Sequence, residues 1–195
     1  MLLKYPISQL ELNDVRSRLD EVGIWFVPVP RIASRSIRMK LGEMHGALFA
    51  HEDAFRGHGL AVEYRGVLGK DVWSRLFSFG FVRNPWDRMV SGYHYQKLDI
   101  SFEQWILNKK WHEFETPQSM FLLDENGKQL VSHVGRYENF NEELEFLDEK
   151  IGLGLIGKEH VSKRTSYCDY YNETTRDIVA KCFDKDIEFF GYKFE

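Results

Sequence analysis

Cysteine is scarce: Cys168 and Cys182 are the two in 195 residues, fourteen apart, a spacing that matches neither a disulfide framework nor a zinc site. Two reduced thiols in a cytoplasm are the expectation, and the sequon Asn172-Glu173-Thr174 then stays unmodified. No apolar run approaches the roughly 18 residues of a membrane span. The opening residues turn polar too early for a secretory signal, so a cytoplasmic protein with no membrane association is expected. A basic excess is also missing. Lys and Arg number 26 against 30 Asp and Glu, a net charge of −4, which argues against a general nucleic-acid coat. No repeat, low-complexity stretch or Pro/Gly/Ser linker marks a boundary, and a single domain over residues 1–195 is expected.

Hydrophobic residues make up 43% and aromatics 15%, enough for a core dense in rings. Leu12, Val15, Leu19 and Val22 recur at helical spacing, and Gly23 ends that helix. Ile24 to Val27 read as a buried strand stopped by Pro28 and Pro30, after which Ile37, Leu41 and Met44 mark a helical face. The pattern then repeats. Phe77 to Val82 read as a strand, Arg83-Asn84 as a turn, and Pro85 as the first residue of a helix with Trp86, Met89, Val90 and Tyr93 on one face. Ser101 and Gln104 have capping-box spacing, residues 112–130 look loop-rich, and Phe140, Leu144, Leu147 and Ile151 give a further helix. Asn172 is placed to cap a last long helix carrying Ile178, Val179, Cys182 and Phe183. Strands feeding helices predict an α/β fold with a mainly parallel central sheet flanked by helices. Ligands of such sheets bind beyond the carboxyl ends of the strands, which points to the turns at 30–36 and 83–85.

Segment 31–40 carries Arg31, Arg35, Arg38 and Lys40 with no acid. At a helix start these cations oppose the dipole unless an anion sits among them, and the free N–H groups there favour an anion too. Ser34 and Ser36 add hydroxyls. A solvated basic face is the plainer reading for Arg38 and Lys40, whereas Arg31 at the mouth of the loop is a candidate anion ligand. The P-loop pattern G-x-x-x-x-G-K-[ST] is absent. In the second turn Arg83 leaves the strand and Ser91 follows two helical turns later, a pair suited to a phosphate. The competing reading pairs Arg83 with Asp87 and leaves Ser91 as packing. Gly152 to Gly157 spell G-x-G-x-x-G, but after a helix rather than a strand, so helix-ending glycines are expected there.

At these residues the sequence resembles the sulfotransferases that use 3′-phosphoadenosine-5′-phosphosulfate (PAPS), closest to the carbohydrate-type family. Val29 to Ile37 are similar to the family's 5′-phosphosulfate loop, and Phe81 to Tyr93 to its 3′-phosphate block. Gly135-Arg136-Tyr137-Glu138-Asn139 is similar to its G-R-[FY]-E-N segment. The C-terminal block resembles Ser162-Lys163-Arg164, Tyr167, Tyr170-Tyr171, Thr175-Arg176, Asp186-Ile187-Glu188 and Phe190-Gly191-Tyr192. Arg31 stands where the family usually has lysine, Arg35 where it has threonine, and His160 where it often has asparagine.

The resemblance implies a P-loop-like three-layer fold and transfer of a sulfuryl group from PAPS to an acceptor hydroxyl on a carbohydrate, leaving PAP, without a metal. It implies that Arg31, Ile32, Ala33, Ser34, Arg35 and Ser36 hold the phosphosulfate, that Arg83 and Ser91 hold the 3′-phosphate, and that Lys163 and Arg164 close over the nucleotide. The acceptor needs a base. His58, ahead of Gly59-Leu60-Ala61-Val62-Glu63-Tyr64-Arg65, matches a family segment and is the leading candidate, with His51, Glu52 and Glu63 as the others. A P-loop-type phosphotransferase and a non-catalytic PAP-binding module are the alternatives, and the acceptor and oligomeric state stay open.

Overall fold

The computed structural model describes residues 9–46, 58–154, 156 and 164–195. Three strands, β1 (Ile24–Val27), β2 (Phe77–Val82) and β3 (His133–Arg136), form a parallel sheet in the order β1-β2-β3. Ile24 pairs with Phe77 and Phe79 with His133. Parallel neighbours need crossovers, and here these are helical. Helices α1 (Gln9–Val22), α2 (Ser34–His45), α3 (Ala61–Leu68) and α4 (Lys70–Arg75) precede β2. Then α5 (Pro85–Gln96), α6 (Phe102–Leu107) and α7 (Gln118–Leu122) lead to β3. The chain finishes with α8 (Phe140–Ile151), α9 (Glu173–Cys182) and α10 (Asp184–Phe190). The class is α/β, a three-stranded parallel sheet flanked by helices.

The chain divides into two compact units, one taking in Met1–Val82 and Met120–Gly157, the other Arg83–Ser119 and Lys158–Glu195. In the first, every residue of β1 and all of β2 after Phe77 are buried, the unbroken apolar pattern of strands covered on both faces. Gly23 does two jobs. Its positive φ of 70° ends α1 with its N–H on the Leu19 carbonyl at 2.8 Å, and its own carbonyl accepts the Phe77 N–H at 2.8 Å, which opens the β1–β2 pairing. At Gly80 a Cβ would stand 2.5 Å from Leu122 Cδ2 and 3.0 Å from the Val27 carbonyl, so this strand position has no room for a side chain. α8 buries Phe140, Leu144 and Leu147 and stops at Gly152, whose left-handed backbone sends its N–H to the Asp148 carbonyl. That glycine caps a helix, as its sequence context indicates; Gly157 lies outside the described residues.

Two elements depart from the sequence reading. β3 was not legible: four residues, His-Val-Gly-Arg, offer no alternation, and a Cβ at Gly135 would meet Phe81 at 2.7 Å. The stretch 112–130 is more ordered than a loop, with a 3-10 turn at His112–Phe114, then α7, then a turn in which Asp124 Oδ1 accepts the N–H groups of Asn126 and Lys128, both at 2.9 Å.

The second unit is built on rings. Trp86, Phe102, Trp105, Trp111, Phe114 and Phe183 are buried together with Met89, Val90, Ile106 and Val179. α5 starts as its sequence indicates, with Pro85 in the first turn and the Asn84 side chain accepting the Trp86 N–H at 3.1 Å. The capping boxes at Ser101/Gln104 and Asn172/Thr175 both form. The expected single last helix is two helices, because the backbone breaks at buried Phe183 (φ −121°, ψ 31°) and restarts as α10. The break carries Asp186, fully buried, to the main-chain N–H groups of Gln118 (2.7 Å) and Ser119 (2.8 Å). Arg88 is buried nearby with its guanidinium on the Thr116 carbonyl and over the Phe183 ring. Burial pushes its pKa down to about 10, Asp186 opposing, so it stays a cation at neutral pH.

Candidate functional site

In the first unit the chain leaves β1 through Pro28-Val29-Pro30 and enters a turn of unusual backbone. Arg31 (φ 68°) and Ala33 (φ 49°) are left-handed, although neither is glycine; Ile32 between them is not, and Ser34 is already helical. Non-glycine residues held this way cost about 1–3 kcal/mol each and gather at functional sites. Alternating the sign of φ over successive residues turns their N–H groups toward one side, which makes an anion-binding concavity. The turn opens directly into α2, whose first turn carries no acid and whose N-cap, Ala33, supplies no side-chain acceptor. Ile32 is buried and anchors the turn, while Arg31 is half-buried and Arg35 exposed. The Ser34 hydroxyl is turned inward, donating to the Val29 carbonyl at 2.6 Å, so it closes the loop on itself. Ser36 is half-buried. Lys40 makes an exposed pair with Glu43 at 3.5 Å, in keeping with a solvated face. Arg38 does not belong to that face: it is half-buried near Tyr64, and desolvation draws its pKa below the ordinary arginine value.

His58, thirty residues further on, returns to this turn. Its Nδ1 lies 3.0 Å from the Pro28 carbonyl oxygen. A carbonyl only accepts, so Nδ1 carries the hydrogen and the lone pair of the neutral ring is on Nε2. The segment behind it is fixed: the Gly59 N–H donates to the Tyr64 hydroxyl (3.1 Å), and the Leu60 N–H to Glu63 Oε2 (3.1 Å). Glu63, another candidate base, thus serves as the cap of α3. His51 and Glu52 lie outside the described residues.

In the second unit Arg83 is buried, with its Nε 2.7 Å from Asp87 Oδ2. The pairing with Asp87 that the spacing offered is therefore present, but it is not the whole cluster. The other oxygen of Asp87 accepts from Arg164 Nη2. One carboxylate is shared by two guanidinium groups whose side chains are 7% and 13% exposed, where solvent screens charge poorly. Arg164 Nη1 is buried without a hydrogen-bond partner. Ser91, half-buried, sits one turn beyond Asp87 on the same face of α5. His94, whose Nε2 is 2.8 Å from the Tyr170 hydroxyl, is held below its ordinary pKa first by burial and then by the charge of Arg164. Lys163, Ser162 and His160 lie outside the described residues.

The structure therefore brings Arg31, Ile32, Ala33, Ser34 and His58 together in the first unit, and Arg83 and Arg164 together in the second. Sequence reasoning did not single out Asp87 as a shared anchor or Gln118 as a ligand of the Arg83 main chain. The sequence offers Asp87 as a partner of Arg83 alone; nothing local marks Arg164 as its second partner, and nothing local marks Gln118. Among the described residues no three His, Cys, Asp or Glu side chains cluster as a metal site, and no helix is long and apolar enough to cross a membrane.

No protein-family model matches the chain, and no solved structure matches it. The chain is 34% identical over 95 residues to an uncharacterized protein of Archaeoglobus fulgidus, an alignment that covers 46% of this chain and 78% of the archaeal one. At that identity and coverage, the chain belongs to the same family as this uncharacterized archaeal protein.

Proposed function

We propose that the protein is a sulfotransferase that moves a sulfuryl group from PAPS to an acceptor hydroxyl, with a carbohydrate as the acceptor class, and that its sheet is the core of a P-loop-like three-layer fold. The observation that carries this reading is the Arg83–Asp87–Arg164 cluster, a buried and a half-buried guanidinium group meeting on one carboxylate. A 3′-phosphate, the group that distinguishes PAPS from ATP, would accept charge-assisted hydrogen bonds from these guanidinium groups. Ser91 and Lys163 would add a hydroxyl and a further cation.

PAPS supplies the sulfuryl group, and the acceptor oxygen displaces the 5′-phosphate oxygen of PAP at sulfur. The chain's part is positioning and charge stabilisation, as in phosphoryl transfer. The N–H groups of residues 31–36 and the Arg31 guanidinium would hold the phosphosulfate and balance the charge that builds on the bridging oxygen. Arg31 brings a planar fork where the family's lysine brings a point charge. His58, with its proton fixed on Nδ1 by the Pro28 carbonyl, would take the acceptor's proton at Nε2 as the new S–O bond forms.

Labelled PAPS supplied with a panel of glycans and small alcohols tests the reading, alongside calorimetry with PAP. Transfer of label to an acceptor hydroxyl, with PAP bound more tightly than adenosine 5′-monophosphate (AMP), is expected. A folded protein that binds neither PAP nor PAPS refutes it.

A further inference from the structure

We propose that Gln118 is a positioning residue for the anion grip, setting Arg83 by standing in for a missing strand; this rests on the assignment of Arg83 to the 3′-phosphate. Val82 is the last residue of β2 and is paired in register with Arg136. Arg83 follows it, buried and one residue past the end of β2. Unsatisfied buried N–H and C=O groups are costly, so something must meet them. Gln118 meets both. Its Oε1 accepts the Arg83 N–H at 2.8 Å and its Nε2 donates to the Arg83 carbonyl at 2.8 Å. One side-chain amide thus makes the two-bond exchange that a residue of an antiparallel neighbouring strand would make.

The amide is held in turn. Gln118 is fully buried, its main-chain N–H donates to Asp186 Oδ2 at 2.7 Å, and its Nε2 lies 3.3 Å from the same oxygen. A flipped amide would set Oε1 against both the Arg83 carbonyl and the Asp186 carboxylate, so the neighbours select one orientation. Asp186 and Arg88 are both buried charges. Apolar residues in such places commonly serve stability equally well, so the network's distinctive product is a fixed position. Arg83 is thereby located at both ends, its main chain by Gln118 and its Nε by Asp87. A guanidinium fork repays such alignment, because its bonds to a phosphate are directional.

Calorimetry with PAP and with AMP, on the full chain carrying Gln118→Met or Gln118→Glu, separates positioning from general support. Methionine keeps the volume and removes both bonds; glutamate keeps an acceptor for the Arg83 N–H. For Gln118→Met the affinity for PAP should fall about tenfold or more while that for AMP stays within about twofold, with Gln118→Glu intermediate. An unchanged PAP-to-AMP ratio, or an equal loss for both ligands, overturns the proposal. Should neither variant fold, hydrogen exchange at the Arg83 amide of the unaltered protein decides: it should be as slow as within β2, and exchange at the rate of an open loop overturns the proposal. An unaltered protein that does not prefer PAP to AMP would instead sink the assignment of Arg83, whatever the exchange rate shows.

Discussion

Replacing Arg83 by alanine tests the anion seat most directly. The side chain is 7% exposed, and its Nε shares Asp87 with Arg164. Its loss removes one of the two guanidinium groups that meet at Asp87 and would face the ligand. Asp87 keeps Arg164 as a partner. The Arg83 main chain still has Gln118, so the turn should hold. The expected effect is therefore on binding rather than folding. One charge-assisted hydrogen bond at roughly 1.5–3 kcal/mol corresponds to a loss of PAP affinity of about tenfold to a hundredfold or somewhat more. AMP, which has no 3′-phosphate, should bind nearly as before. Calorimetry with both ligands, with thermal unfolding to check the fold, reads the difference. Unchanged PAP affinity in a folded Arg83→Ala protein would falsify the assignment of the 3′-phosphate to this cluster.

Three further outcomes follow from the first unit. His58→Ala should lower turnover by about 10²–10⁴ while PAP affinity stays within about twofold, measured by label transfer and calorimetry; near-normal turnover passes the base role to another residue. Arg31→Lys should retain or raise label transfer, because the charge stays at the mouth of the turn; a collapse in activity would mean that Arg31 performs a task only a fork can do. Gly59→Ala places a Cβ 2.5 Å from Tyr64 Cζ, on a ring that is itself buried. It should destabilise the fold by about 1–3 kcal/mol in denaturant unfolding and depress turnover more than PAP binding, because it pushes His58 off the Pro28 carbonyl. Wild-type stability in that variant would show that the His58 segment yields freely.

Much of the candidate site is legible in the amino-acid sequence, and the reason is distance along the chain. The turns after β1 and β2, Pro85 in the first turn of α5, and the capping boxes at Ser101 and Asn172 depend on residues within about four positions of one another. Helical periodicity and N–H capping act over that range. Arg83 and Ser91 are visible for the same reason. The left-handed backbone at Arg31 and Ala33 is not, because alanine and arginine carry no preference for it and only the surrounding packing imposes it.

What the amino-acid order determined by itself was the alternation of strands and helices, the parallel α/β class and the two turns where charge collects. Tertiary structure alone decided the rest. It seated His58 on a carbonyl thirty residues away, joined Arg164 to Asp87, recruited β3 despite its weak pattern, and bent the last helix at Phe183 so that Asp186 reached Gln118. Each of these is a contact between segments far apart in sequence. Its free energy comes from burying polar groups that must then find partners, and which partner is near enough is settled only when the whole chain has packed.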